Sequence, residues 1–182
     1  MGNLFERFFW LSHQAVEQED SYLRSLFEKC SDKYAKHHHG VAFLYETTYV
    51  YLILKKLLES DFPAEVIWEQ PYPNNRSLHA DLGIIEDQKK VTLVEFKLRT
   101  TEDDKQIKGD IEKLRQEPPE VGKLVFVISY GGDKEGNIKY LLEHNDGLKL
   151  LDDATVKTRW YFWHEQVPMH RDNNIDLLLF SA

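Results

Sequence analysis

The segment that decides the fold is residues 91–98, Val-Thr-Leu-Val-Glu-Phe-Lys-Leu. Apart from Thr92, Glu95 and Lys97 it is apolar, which predicts a strand in the interior of a sheet. Because side chains alternate along a strand, Glu95 and Lys97 project from the same face. Burying a charge costs free energy unless the charge is paired or binds a metal. The segment therefore predicts both a core strand and a functional site.

The residues before this segment predict its neighbour in the sheet. Residues 77–85 form a second strand pattern, and the polar residues 86–90 are typical of a tight turn. The two strands are expected to form an antiparallel hairpin. That hairpin would bring Asp81 close to Glu95, with His79 on the same face as Asp81.

The remaining periodicity predicts the other elements. Helices are expected at about 41–60, 101–116 and 137–144, and strands at about 65–70, 123–129 and 158–164, followed by an apolar segment at 176–180. This order is typical of an α/β fold with a mixed β-sheet flanked by helices. An N-terminal helical extension, residues 1–39, is expected to precede an α/β domain of residues 40–182.

A further acidic residue interrupts the core-facing stripe of the helix predicted at about 41–60. Phe43, Val50, Ile53 and Leu57 recur at helical spacing, and Glu46 is the one charged residue among them. Three acids and one lysine thus occupy positions where the surrounding hydrophobic pattern predicts an apolar residue (Glu46, Asp81, Glu95 and Lys97). Oxygen donors of this kind favour Mg²⁺ or Mn²⁺ over zinc, because no His/Cys pair has ligand spacing here.

Composition narrows the class of protein. The 182 residues carry a formal net charge of −8, which argues against a passive binder of polyanions. Cys30 is the only cysteine, so an internal disulfide framework is excluded. The first ten residues do not have a signal-peptide pattern, and no apolar stretch is long enough to span a bilayer. A soluble, cytoplasmic protein with no membrane partner is expected.

Together these residues resemble a known family. Asp81, 13 intervening residues and then Glu95-Phe96-Lys97, preceded by Glu46 on a helix, are similar to the motif of the PD-(D/E)XK nuclease superfamily. The resemblance covers about residues 40–130, and Ala80 stands where the family often has proline. It implies a restriction-endonuclease-like fold and an Mg²⁺-dependent nuclease (a phosphodiesterase, and so a hydrolase).

The resemblance also implies roles for the residues. Asp81, Glu95 and the carbonyl of Phe96 would hold Mg²⁺ or Mn²⁺, and Lys97 would position the attacking water. Glu46 would assist through a metal-bound water or a second ion. The family often has a polar residue on the following helix, a place that Gln106, Lys105, Asp110 or Lys113 could fill. Gln106, Lys105 and His79 are the expected substrate-binding residues, and the resemblance favours DNA over RNA as substrate.

Three alternatives stay open at the level of sequence. The fold could serve as a catalytically silent binding or assembly module with a protein partner or as a homodimer. The run His37–His39 is better explained as a polar linker than as a metal site. The aromatic run Trp160–Trp163 favours packing over stacking on bases.

Overall fold

The computed structural model describes residues 4–34, 40–99, 105–130, 133–164 and 167–182, and for residues 30–34, 105, 163 and 168 it describes the backbone alone. The described residues form a short 3₁₀ turn (Val41–Phe43) and ten longer elements in the chain order α1 (Leu4–Tyr34), α2 (Glu46–Leu58), β1 (Glu65–Pro71), β2 (His79–Glu86), β3 (Lys90–Arg99), α3 (Lys105–Arg115), β4 (Gly122–Tyr130), α4 (Lys134–His144), β5 (Lys149–His164) and β6 (Val167–Ser181). No helix among them combines the length and the apolar character needed to cross a membrane.

The six strands form one mixed sheet in the order β1-β2-β3-β4-β6-β5. Strands β3 and β4 are parallel and are connected through α3, whereas every other neighbouring pair is antiparallel. The predicted hairpin is confirmed, since β2 and β3 pair from Glu86↔Lys90 at the turn to Leu82↔Val94. The expected α/β architecture with a mixed, helix-flanked sheet is therefore observed.

Each face of the sheet is covered by its own hydrophobic cluster. Residues of α1 and α2 pack on one face with Val94, Phe96 and Phe126, and residues of α3 and α4 pack on the other with Leu93 and Val125. This division follows the alternation of side chains along β3 and β4. Glu95 and Lys97 consequently lie on the α3 and α4 face.

The N-terminal helix contributes directly to the first cluster. Phe8 of α1 is fully buried, with its ring edge-on to Phe126 at 6.0 Å between centroids. Phe9 contacts the same ring at 5.9 Å. The α1 helix and the sheet thus share one hydrophobic core.

The helix predicted at about 41–60 begins later than expected. Leu44 and Tyr45 adopt extended backbone conformations, so residues 41–43 form a separate 3₁₀ turn and α2 starts at Glu46. The Tyr49 hydroxyl donates a hydrogen bond to the Val41 carbonyl at 2.6 Å and so joins the turn to the helix. The prediction that Phe43 belongs to the buried stripe of the helix is wrong, because Phe43 lies before the helix and is 42% exposed.

The C-terminal hairpin is longer than the sequence pattern indicated. Strands β5 and β6 pair along their whole lengths, but β4 pairs with β6 only from Ile175 onward. Residues 157–164 and 167–174 therefore extend beyond β4. The strand predicted at about 158–164 is confirmed as the outer part of β5, whereas the sequence pattern did not indicate a strand at 149–157 or at 167–175. Within this extension Tyr161 is buried and stacks on Phe27 at 3.9 Å between ring centroids. The predicted His37–His39 linker and the predicted helix start at 101–104 lie outside the described residues.

Candidate active site

The site begins where β2 and β3 separate. Their pairing stops at Leu82↔Val94, one position before Asp81 and Glu95 would face each other. Asp81 is also absent from the β1 pairing, between Trp68↔Leu82 and Gln70↔Ala80. Opposite it, Glu69 has a left-handed backbone conformation with φ 52°.

The distortion at Asp81 changes the direction of nearby side chains. Simple alternation predicts that Ala80 lies on the face of Leu82, but Ala80 packs in the second cluster with Leu93. The Asp81 carboxylate lies where the pairing of β2 with β3 is interrupted. Its Oδ2 accepts a hydrogen bond from the Phe96 amide at 2.7 Å.

Glu46 fills the next position along the same edge of β3. As the first residue of α2, it directs its Oε2 to the Leu98 amide, which donates a hydrogen bond at 2.9 Å. Its Oε1 accepts a hydrogen bond from Lys97 Nζ at 3.1 Å. Since alternate amides of a strand point to the same edge, Asp81 and Glu46 replace the partners that β2 no longer provides.

Lys97 is held between two helices. Its Nζ lies 3.1 Å from Glu46 Oε1 on α2 and 3.0 Å from Asp110 Oδ2 on α3. Burial disfavours the charged form, but the charges and hydrogen bonds of Glu46 and Asp110 outweigh it and raise the Lys97 pKa. Lys97 is therefore a fixed ammonium group at neutral pH.

Asp110 connects a second lysine to the site. Its Oδ1 accepts a hydrogen bond from Lys113 Nζ at 2.5 Å, and this bond raises the Lys113 pKa. The sequence left Gln106, Lys105, Asp110 and Lys113 as alternatives for the polar residue on this helix. The structure brings Asp110 and Lys113 to Lys97.

Glu95 is a buried acid, with 5% of its surface exposed. Burial is the largest cause that raises its pKa, to about 8 from an ordinary value of 4.5, and the charges of Asp81 and Asp110 add to it. A side-chain hydrogen bond with Asp81 raises the pKa further. Asp81 and Glu95, predicted to converge, thus interact directly.

Tyr72, which the sequence pattern did not indicate, is the closest partner of Glu95. Its hydroxyl donates a hydrogen bond to Glu95 Oε1, which opposes the rise of the Glu95 pKa. Tyr72 stays protonated because burial and the Glu95 carboxylate raise its own pKa. Pro71 and Pro73 made this stretch look like a polar turn, although a large aromatic residue between two prolines was the available signal.

The other expected substrate-binding residues lie apart from this cluster. His79 is exposed at the first residue of β2, and Gln106 is exposed in the first turn of α3. Neither contributes a hydrogen bond or ion pair to the contacts described above. The Lys105 side chain lies outside the described part of the structure.

The donor set fits a hard cation in part. Asp81 and Glu95 supply carboxylate oxygens, and the Phe96 carbonyl shares their edge of β3, as Mg²⁺ and Mn²⁺ require. Glu46, however, has committed both oxygens to Lys97 and Leu98. Among the described residues, no group of three or more His, Cys, Asp and Glu side chains is arranged to hold a metal ion.

Comparisons with protein-family models, with curated proteins and with solved structures found no match for this chain.

Proposed function

We propose that this protein is a metal-dependent nuclease that hydrolyses phosphodiester bonds, with DNA favoured over RNA. The observation that carries the proposal is the interaction of Asp81 with Glu95 where β2 and β3 separate, with Lys97 on the same face of β3 as Glu95. Asp81 hydrogen-bonds to the Phe96 amide and interacts with Glu95, while Lys97 lies on the same face of β3. Nothing in the folding of an apolar strand requires these charges to meet.

The element order supports a restriction-endonuclease-like version of the α/β fold. A helix carrying an acid precedes the β1-β2-β3 meander, and α3 then leads to β4, which is parallel to β3. In this arrangement Glu46 of α2 and Asp110 of α3 both contact Lys97. This combination of a helical acid with strand residues supports the proposed resemblance to the motif.

Asp81, Glu95 and the Phe96 carbonyl would hold Mg²⁺ or Mn²⁺. When bound, such a cation polarises a phosphate and lowers the pKa of a coordinated water. Glu95 must lose its proton before it can serve as a ligand, so its raised pKa couples cation binding to pH. Tyr72 favours the ionised form through its hydrogen bond.

Lys97 would act on the substrate rather than on the cation. Its ammonium is oriented by Glu46 and Asp110 and can donate to an attacking water or to a phosphate oxygen. A fixed positive charge stabilises the negative charge that develops on the phosphate during hydrolysis. Glu46 and Asp110 would be positioning residues, because they act through Lys97.

One observation favours the second candidate, a silent module that binds a protein partner. Glu46 uses both oxygens within the fold, and Lys97 sits between two carboxylates, as in a structural ion-pair network. Such a network holds α2 and α3 to β3 without any ligand. The two candidates differ in whether a divalent cation stabilises the protein.

The deciding experiment measures melting temperature with and without Mn²⁺, together with cleavage of single-stranded, duplex and branched DNA and of RNA. A nuclease should be stabilised by Mn²⁺ by mass action and should cleave at least one substrate. Asp81→Asn should lose both responses, while Asp87→Asn, at an exposed turn acid, should keep them. A wild-type protein that ignores Mn²⁺ and cleaves nothing would leave the binding module as the better candidate.

A further inference from the structure

We propose that Tyr45 stacks on an unpaired base of the nucleic acid, next to the phosphate that Lys97 faces. This inference rests on the proposed nuclease function and deepens it, because it names the substrate class. A protein ring can stack only on a base whose face is not covered by its neighbours in a duplex. The preferred substrates would therefore be single-stranded at the cleaved linkage.

Tyr45 directly precedes a residue of the candidate site. It is the N-cap residue of α2, and the first residue of that helix is Glu46. Glu46 accepts hydrogen bonds from Lys97 Nζ at 3.1 Å and from the Leu98 amide at 2.9 Å. Consecutive Cα atoms are about 3.8 Å apart. Tyr45 is therefore held at the edge of the site, one residue away from a direct contact of Lys97.

The backbone of Tyr45 is fixed at this place. Its carbonyl accepts hydrogen bonds from the amides of Thr48 at 2.9 Å and Tyr49 at 3.3 Å. The preceding residue, Leu44, packs against the first hydrophobic cluster. Because Leu44 and Tyr45 are both extended, their side chains alternate, and the Tyr45 side chain points away from that cluster.

Neither helix capping nor core packing explains a tyrosine at this position. Helix N-caps favour Ser, Thr, Asp and Asn, whose side chains accept a hydrogen bond from the first turn, and Tyr45 makes no such bond. Its side chain is 80% exposed, the largest value for a large hydrophobic residue in the described structure. No hydrogen bond or ring contact to another described residue holds this side chain. A residue that breaks a local preference without a structural gain indicates a functional position.

A tyrosine ring suits a nucleobase in an acidic protein. Every base has a flat face, so stacking on an aromatic ring contributes to the binding of single strands whatever the sequence. Stacking also requires no positive charge, and the whole chain has a net charge of −8. A tyrosine side chain has two rotatable bonds before its hydroxyl, so it loses little conformational entropy on binding. Tyr45 can therefore add affinity for a polyanion that the charge of the chain does not favour.

The first test compares steady-state cleavage, with Mn²⁺, of a single-stranded DNA and of a fully paired DNA that contains the same sequence. Wild type should prefer the single strand, and Tyr45→Ala should raise KM for it about tenfold, because one stacked base is lost. Tyr45→Phe keeps the ring and should keep the wild-type KM. The slope of log kcat/KM against log salt should be the same in wild type and both variants, because the lost contact carries no charge.

A further variant separates substrate binding from stability. Tyr45→Ser places a favoured capping residue before α2, so its melting temperature should equal or exceed that of wild type, while its KM should rise as in Tyr45→Ala. Tyr22→Ala is the matched control, because Tyr22 is also exposed, at 57%, but lies on α1. It should leave KM and the preference for the single strand unchanged. A merely structural role for Tyr45 would instead lower the melting temperature of Tyr45→Ser and leave its KM at the wild-type value.

A substrate series locates the stacked base. One abasic position, moved along the single strand, should reduce wild-type kcat/KM near the cleaved linkage by about as much as Tyr45→Ala does. At that position it should have little further effect on Tyr45→Ala. If wild type cleaves but prefers the paired DNA, or if Tyr45→Ala matches Tyr22→Ala in KM, this inference fails and the nuclease proposal stands. A wild type that cleaves no substrate overturns both.

Discussion

Asp81 of β2 reaches the backbone of β3, where its Oδ2 accepts a hydrogen bond from the Phe96 amide at 2.7 Å. The carboxylate thus accepts the hydrogen bond that a backbone carbonyl would accept in a continuous sheet. It also interacts with the Glu95 side chain. In the protein without a bound cation, the acceptor oxygen of Asp81 and its negative charge therefore have opposite effects on stability. The acceptor atom stabilises the end of the hairpin, whereas the charge opposes ionisation of the Glu95 carboxyl group.

Asp81→Asn separates these two effects. Asparagine keeps an oxygen acceptor for the Phe96 amide and removes the charge, so the melting temperature without Mn²⁺ should not fall. Asp81→Ala leaves the amide without its partner and should cost about 1–3 kcal/mol. Both variants should lose stabilisation by Mn²⁺, because a neutral side chain is a poorer ligand for a hard cation. Differential scanning calorimetry with and without Mn²⁺ checks this, and an unchanged Mn²⁺ response of Asp81→Asn would contradict it.

Lys97→Ala should affect stability and turnover together. It leaves Glu46 and Asp110 without their shared cation, at a cost of about 3 kcal/mol in the free energy of unfolding. Cleavage should slow on the order of 10²-fold or more, while Mn²⁺ should still raise the melting temperature because the ligands remain. Lys113→Ala is the matched control, since Lys113 binds the same Asp110 but is more exposed. A Lys97→Ala protein as stable and as active as Lys113→Ala would rule out a central role for Lys97.

The raised pKa of Glu95 predicts how stability without a cation depends on pH. The folded protein holds this proton more tightly than the unfolded chain, so protonation of Glu95 favours folding. Its contribution is complete below about pH 4.5 and is lost as the pH rises through about 8. Glu95→Gln removes the titration, so in EDTA the variant should gain stability relative to wild type between those pH values. Urea unfolding from pH 5 to pH 9 measures the difference, and two parallel curves would show that Glu95 titrates normally.

The sequence predicts those site residues whose positions depend mainly on strand β3. Alternation along β3 places Glu95 and Lys97 on one face whatever surrounds the strand. The β2–β3 hairpin brings Asp81 close to Glu95, although the strand pairing itself stops at Leu82. The choice of Asp110 among four polar residues of α3 depends on how that helix is rotated against the sheet. That rotation is set by packing of residues such as Ile107 and Ile111, which a single sequence does not reveal.

Three other features were not predicted, because the local sequence pattern indicated a different structure at each of them. The proline residues around Tyr72 indicate a turn, and they conceal a side chain that the fold buries against Glu95. The extended conformation of Leu44 and Tyr45 delays the start of α2, although the apolar spacing continues across both residues. In β6 the polar run 170–174 leaves no hydrophobic alternation, so the sequence pattern indicated only the apolar end of this strand.

The packing of α1 predicts that the N-terminal helix is required for the stability of the sheet. Phe8 is fully buried on Phe126, so Phe8→Ala should lower the free energy of unfolding by about 3–5 kcal/mol. Tyr22→Ala, at an exposed position of the same helix, should change it by less than about 0.5 kcal/mol. Denaturant unfolding followed by circular dichroism compares the two. If α1 folded independently, Phe8→Ala would leave the main transition of the sheet where it is in wild type.

Tyr72→Phe tests whether the tyrosine hydroxyl tunes Glu95. The hydroxyl donates to Glu95 and opposes the rise of its pKa, so removing the hydroxyl should raise the Glu95 pKa further. Deprotonation of Glu95, and with it the binding of Mn²⁺, should then require a higher pH. Melting temperatures with and without Mn²⁺ across pH 6 to 10 give the midpoint at which the cation begins to stabilise the protein. That midpoint should move upward in Tyr72→Phe and stay in place in Tyr51→Phe, whose side chain is half-exposed on α2. Equal midpoints in wild type and Tyr72→Phe would mean that the hydrogen bond holds Tyr72 in place without changing the chemistry of Glu95.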